Sequence, residues 1–216
     1  MNTLAQKQKA FLACLENLDR QRAEEMTRQA LSAGDDPEQL LTQMILPAMD
    51  SIAQKQRNKE IVVAQIFVMA KIIETCINMI LIELPIKPRK LGTVVIGTPM
   101  GDYHGLGKKL VATFLRLADF EVMDLGLSVN RYDFVNMAIA FNAKVICVSA
   151  LLLHTALGIR QIREELDSRQ HRDIKLVVGG ALFNFNPKLK DKYGADAMAS
   201  NAMDAVRVVK HLMGVK

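Results

Sequence analysis

The spacing of apolar residues changes once along the chain, and that change limits the fold more than any other feature. Up to residue 84, apolar positions recur three and four apart, the repeat of helices with one buried face. The segment "DPEQLLTQMILPAMDSIAQKQ" (36–56) shows it best. Asp36 is placed as an N-cap and Pro37 at the first helical position, while Leu40, Leu41, Met44 and Ile45 form one apolar face. Further helices are predicted at 4–17 and 20–33, the latter closed by Gly34, and at 61–82. Four helices with short connections predict an antiparallel four-helix bundle. Gln65, Lys71, Glu74 and Asn78 interrupt "IVVAQIFVMAKIIETCINMILI" (61–82). With no run of ~20 apolar residues, it reads as a buried helix and not a membrane span.

Beyond "LPIKPRKLG" (84–92), whose prolines and basic residues read as a linker, short β-branched runs alternate with helical patterns. Strands are predicted at 93–98, 120–126, 144–150, 173–180 and 195–200. Helices are predicted at 106–118, 131–141, 155–169, 187–193 and 201–213. The fold class is therefore α/β: a helical bundle over 1–88, then a flavodoxin- or Rossmann-like five-stranded parallel sheet over 89–216. Such sheets bind ligands outside the carboxyl ends of their strands, near the point where the strand order reverses.

The residues at those tips carry the chemistry. "GDYHGLGKKL" (101–110) follows the first strand, but its spacing fits neither a P-loop nor a GxGxxG dinucleotide loop. Asp102 and His104, two apart in an extended stretch, can lie on the same side, where the carboxylate fixes the imidazole tautomer and frees the other ring nitrogen for a metal. The same spacing also fits a surface loop with a capping aspartate and a partly exposed histidine. Gly101, Gly105 and Gly107 allow something wide and flat to approach the backbone. Ser149 ends the third strand and Gly179–Gly180 the fourth. They read either as turn residues or, together, as a deep slot between strands.

Composition removes several function classes. Cys14, Cys76 and Cys147 are far apart with no CxxC pair, which argues against a disulfide framework, a zinc ribbon or a cysteine-ligated cluster. A net charge of +5, no tryptophan and three tyrosines offer little to nucleic acid. The amphipathic N-terminus shows no signal peptide, and a cytoplasmic location is expected.

The motifs "GDYHGLG", "SAL" and "GG" resemble the DxHxxG…SxL…GG signature of cobalamin (vitamin B12)-binding domains, found in methionine synthase and in corrinoid methyl-carrier proteins. "FEVMDLGLSV" and "KLVVGGA" follow the family's phrasing at the second and fourth strands, and "GDDPEQLLTQMILPAMDSI" is similar to the helical bundle that precedes this domain. The resemblance implies that His104 binds cobalt from below in place of the cofactor's own base, the base-off, His-on arrangement. It implies that Asp102 hydrogen-bonds to His104 and that Ser149 extends this relay or touches the displaced nucleotide tail. The tail would enter a slot between strands one and four, alongside Gly107, Leu151, Gly179 and Gly180, with Gly105 in the same loop. The bundle would cover the cofactor's upper face.

The function implied is that of a corrinoid protein carrying a methyl group on cobalt between two methyltransferases, a non-autonomous subunit with no catalytic residue of its own. Its partners would be a substrate-specific methyltransferase, an acceptor methyltransferase and a reductive activator, with no nucleic acid and no membrane. A cobalamin sensor or storage protein and the small cobalamin subunit of a carbon-skeleton mutase share the signature, although such mutase subunits normally lack the bundle. Three places depart from the family pattern: Gly105 stands where an acidic residue is usual, Leu153 where a threonine is frequent, and "IAQKQRNKE" (52–60) replaces an acidic region of the bundle.

Overall fold

A computed structural model of the chain describes residues 4–84 and 91–215, so most of the linker expected at 84–92 lies outside the described residues. The chain falls into two compact units, Met1–Ile86 and Lys87–Lys216.

The first unit holds α1 (Leu4–Glu16), α2 (Arg20–Ser32), α3 (Pro37–Leu40), a π-helical turn (Leu41–Ile45), α4 (Leu46–Arg57) and α5 (Val63–Ile82). Asp19 caps α2 by accepting from the Arg22 N–H at 3.0 Å, and Asp36 caps α3 by accepting from the Glu38 N–H at 3.1 Å. Helical backbone runs through residues 37–57, as the sequence predicts, but with a π-turn inside it. The Leu46 N–H donates to the Leu41 carbonyl, five residues back. Pro47 supplies the reason, because its ring crowds the carbonyl four residues back and it has no N–H of its own. One widened turn absorbs both defects.

Phe11, Leu15, Leu40, Leu41, Met44, Ile45, Ile72 and Ile77 fill the centre of this unit. The long helix α5 differs from its sequence-based reading. Its Ala64–Ile82 stretch is long and apolar enough to cross a membrane by length and composition, polar interruptions included, and a third of it is buried. Met69, Ile72, Ile73, Cys76, Ile77 and Ile80 face inward at helical spacing, whereas Phe67, Val68 and Ile82 are exposed.

The second unit alternates strands and helices: β1 (Thr93–Gly97), α6 (Leu106–Leu117), β2 (Glu121–Asp124), α7 (Arg131–Ala140), β3 (Val145–Ser149), a 3₁₀ turn (Leu153–Ala156), α8 (Leu157–Ser168), β4 (Lys175–Gly179), α9 (Ala181–Phe185), α10 (Leu189–Lys192), β5 (Ala197–Ala199) and α11 (Ala202–Met213). The short helix α9, within "ALFNF", is an addition to the sequence-based reading. All pairings are parallel, in the order β2-β1-β3-β4-β5. Side chains alternate across the sheet. Val94, Ile96, Val145 and Cys147 enter one core with Leu115, Phe120 and Val209, while Val95, Ile146 and Val148 enter the other with Phe134, Leu176 and Phe183.

The chain leaves β1 in one direction to β2 and later crosses to β3 on the other side. The order therefore reverses between β1 and β3, the switch point at which open α/β sheets have a crevice outside the carboxyl ends of their strands.

Phe134 is fully buried, and a Cβ built on Gly97 would lie 2.7 Å from its ring, so ring and glycine are matched in shape. Phe134→Ala is expected to lower the unfolding free energy by about 3–5 kcal/mol, measured by urea denaturation of this unit's transition.

Candidate functional site

The loop after β1 is built around the carboxylate of Asp102, which is 0% exposed. A turn closed by the Asp102 N–H donating to the Pro99 carbonyl at 2.9 Å brings the side chain back over the sheet edge. Oδ1 accepts the His104 N–H at 3.0 Å and lies 2.9 Å from His104 Nδ1. Oδ2 accepts the Leu151 N–H at 2.8 Å and the Leu152 N–H at 3.4 Å, both beyond the end of β3. The Thr155 hydroxyl lies 3.2 Å from the same oxygen and 2.8 Å from the Leu152 carbonyl, so its single proton is shared between them. One carboxylate thus ties the loop after β1 to the loop after β3, across the crevice at the switch point.

Its ionisation follows from the same contacts. Burial pushes the carboxyl upward, but hydrogen bonds from Leu151, from the main chain and ring of His104 and from Leu152 outweigh it, and the net shift is downward. An acceptor held ionised assigns the proton of the His104 ring to Nδ1 and leaves the Nε2 lone pair free to act as a ligand. The imidazole is 52% exposed, with its fixed nitrogen against the protein. Among the described residues, no group of three or more His, Cys, Asp or Glu side chains is placed to hold a metal ion.

The glycine and serine positions line the same edge. Ser149 pairs with Gly179 in the β3–β4 ladder, and the missing Cβ of Gly107 faces Ser149 Oγ at 3.7 Å. Gly180 has φ +100, and a Cβ there would lie 2.4 Å from the Ala150 carbonyl oxygen, so this position admits only glycine. That absence lets the tips of β3 and β4 close together. At Gly105 a Cβ would meet a methyl of Leu127 at 2.9 Å, so the space in which the family usually carries an acidic side chain is filled here from the loop after β2. Around this edge Met100, Tyr103, Leu127, Leu151, Leu153 and Phe185 are exposed, giving the polar centre an apolar rim.

Asp102, His104 and Leu151 come together directly, and Gly107, Ser149, Gly179 and Gly180 follow along the tips of β3 and β4. Sequence reasoning missed Thr155. It named Ser149 as a candidate for extending the relay, whereas the hydroxyl beside Asp102 belongs to Thr155, and Ser149 faces Gly107. The signal was present in "ALLLHTAL": a threonine in the turn that leads into the next helix can reach back to a strand tip. Also missed was the pair formed by Lys108, buried in the first turn of α6, with Asp124 at the end of β2. Asp124 accepts the Gly126 N–H at 2.9 Å as well, so the pair fixes the helix that follows the histidine loop.

A flavodoxin-like sheet with one imidazole within an apolar rim at its switch point has the form of a domain that seats a large, flat ligand. Comparison with known proteins agrees. Residues 92–210 match a B12 binding domain and residues 8–81 match a second B12 binding domain model. The trimethylamine corrinoid protein of Methanosarcina barkeri is 34% identical over 203 residues, covering 92% of this chain and 93% of its own. The structure of the monomethylamine corrinoid protein of the same organism superimposes with a TM-score of 0.78 at 26% identity, over 94% of this chain and 96% of that one. A chain of the methanol:cobalamin methyltransferase complex from M. barkeri shares the fold, with a TM-score of 0.55 at 19% identity, over 99% of this chain and 80% of that one. The chain belongs to the B12-binding corrinoid protein family.

Two outcomes are expected. Because the Asp102 carboxyl has its pKa lowered on folding, it stabilises the fold fully above the ordinary carboxylate value of 3.8 and loses that contribution as pH falls through its lower folded value. Asp102→Asn sets an amide N–H₂ against donors, which costs about 1–3 kcal/mol at neutral pH. In urea titrations of the cofactor-free protein, that gap should narrow below about pH 4. Gly180→Ala, forced against the Ala150 carbonyl, should lower the melting temperature and weaken cobalamin binding together, as read by calorimetry and by equilibrium dialysis.

Proposed function

We propose that this chain is a methyl-carrying corrinoid protein that receives a methyl group from one methyltransferase and delivers it to another. The single observation that carries the reading is the His104–Asp102 arrangement: an imidazole with Nδ1 committed to a buried carboxylate, Nε2 free, standing at the switch point within an apolar rim. The donor set fits a corrinoid, because a macrocycle that fills four positions around cobalt needs from the protein one axial nitrogen and a broad apolar seat. Bound there, the corrinoid supplies a cobalt centre that accepts and releases a methyl group. The relatives' names, trimethylamine and monomethylamine corrinoid protein, place methylated amines first among the donors to be tried.

The residues divide the work. His104 Nε2 serves as the lower ligand. Asp102, ionised and held on both oxygens, keeps the ring's tautomer and strengthens Nε2 as a donor, and Thr155 supports the carboxylate from behind. Gly107, Ser149, Leu151, Gly179 and Gly180 line the slot for the nucleotide tail, supported by the closeness of Gly107 to Ser149 and by the clash that any side chain at Gly180 would meet. Gly105, in the histidine loop, leaves its space to Leu127 from the loop after β2. Residues 1–88 and 89–216 act as the two functional units, a reading supported by the division of the chain near residue 86. The partners are a substrate-specific and an acceptor methyltransferase with a reductive activator, and the location is cytoplasmic.

Wild-type protein reconstituted with methylcobalamin should show the absorption spectrum of the base-off, His-on form. His104→Ala should lose the histidine-ligated spectrum, and the loss of the ring's hydrogen bond to the buried Asp102 carboxylate should lower the stability of the cofactor-free protein by about 1.5–3 kcal/mol while leaving it folded. An unchanged lower ligand in that variant overturns the assignment.

A further inference from the structure

The axial histidine is fixed by its side-chain contact to Asp102, and Asp102 is fixed by its side chain to the loop after β3. Neither contact explains what holds the main chain of the loop. Asp102 follows β1 after four residues, Thr98 to Gly101, that include Pro99 and Gly101, the latter with φ +82, and this stretch continues no strand ladder. The bracing comes from the other side, from the loop after β2.

Thr98, fully buried, uses both capacities of its hydroxyl. Oγ1 donates to the Asp102 carbonyl at 2.6 Å and accepts the Ser128 N–H at 2.9 Å. The Ser128 N–H also lies 3.1 Å from the Asp102 carbonyl. The Ser128 hydroxyl accepts the Gly101 N–H at 2.9 Å and lies 3.4 Å from Met100 Sδ. Ser128 adopts φ +54, a left-handed conformation that a side chain other than Gly, Asn or Asp takes at a cost. The strained backbone brings its N–H and hydroxyl onto the histidine loop together. The main chains are clamped further by the Val129 N–H donating to the Thr98 carbonyl at 2.9 Å and by the bridge between Pro99 and Val129.

From this geometry we infer that Thr98 and Ser128 are positioning residues for the axial ligand: they fix the main chain of residues 101–102 so that the His104 imidazole is presented at the height at which Nε2 reaches the cobalt. The inference rests on the reading of His104 as the lower ligand. It concerns a separate set of atoms, the main-chain side of the loop, and neither residue touches the imidazole. Among the described residues, the Thr98 hydroxyl is the side-chain donor to the Asp102 carbonyl. Its removal loosens the loop at the point from which the histidine is measured.

The test compares Thr98→Val, which keeps the shape and removes the hydroxyl, with Thr98→Ser, which restores it, and with Ser128→Ala as an independent variant on a less buried residue. Each is reconstituted with methylcobalamin as the full chain. The fraction of His-on cofactor is read from the visible spectrum well below the melting temperature, and total binding is read by equilibrium dialysis. Loss of one hydrogen bond of ordinary strength predicts roughly a fivefold fall in the His-on to His-off ratio for Thr98→Val and for Ser128→Ala. Total binding should hold within about threefold, because the glycines at Gly107, Gly179 and Gly180 are unchanged, and Thr98→Ser should return the ratio to the wild-type value. A wild-type ratio in both Thr98→Val and Ser128→Ala, with only a lowered melting temperature, overturns the inference. If the wild-type protein itself never shows a histidine-ligated spectrum, the proposed function fails instead, and the two failures are told apart by that single control.

Discussion

The buried carboxylate of Asp102 is the constraint on which the rest of the site depends. A charge taken out of water is tolerated only where hydrogen bonds replace the lost solvation. Here they come from both sides of the crevice: from the main chain and ring of His104 on one loop and from Leu151, Leu152 and Thr155 on another. The requirement to solvate one ion thus brings the two loops of the switch point into a fixed relation. The imidazole's tautomer, the direction of Nε2 and the apolar rim around it are consequences of that relation.

Much of the architecture can be read in the sequence, because the physics that sets it is local. The periods of apolar residues separate helices from strands, Asp36 and Pro37 mark a helix start, and five βα repeats leave few topologies open. What escaped was local structure that answers to a single residue or to distant packing. The π-turn depends on Pro47 meeting a carbonyl one turn earlier, which a pattern of apolar spacing does not register. The helix α9 is five residues long, too short to establish a period. In α5, apolar spacing alone does not tell which residues pack inward, and Phe67 and Ile82 stay exposed while Ile72 and Ile77 are buried.

The site was legible to a similar depth. Asp102 and His104 are two apart in the chain, and their pairing needs only an extended loop. Gly180 announces itself as one half of a glycine pair at a strand tip. Thr155 lies fifty-three residues from Asp102 and reaches it only because β1 and β3 are neighbours, so its role is a property of the sheet order and not of its own segment. Leu127 fills the room beside Gly105 for the same kind of reason, as a neighbour from the far side of β1. Departures from a family motif become intelligible once the residue occupying the vacated space is known.

The Lys108–Asp124 pair has one more consequence. It anchors the start of α6 to the tip of β2, while Asp102 anchors the preceding loop to the tip of β3, so the histidine stands between two fixed points. The softest coordinates left to it are the two torsions of its own side chain. A change in the direction of Nε2 is then open to side-chain rotation, an event of picoseconds to nanoseconds, without rearrangement of the loop.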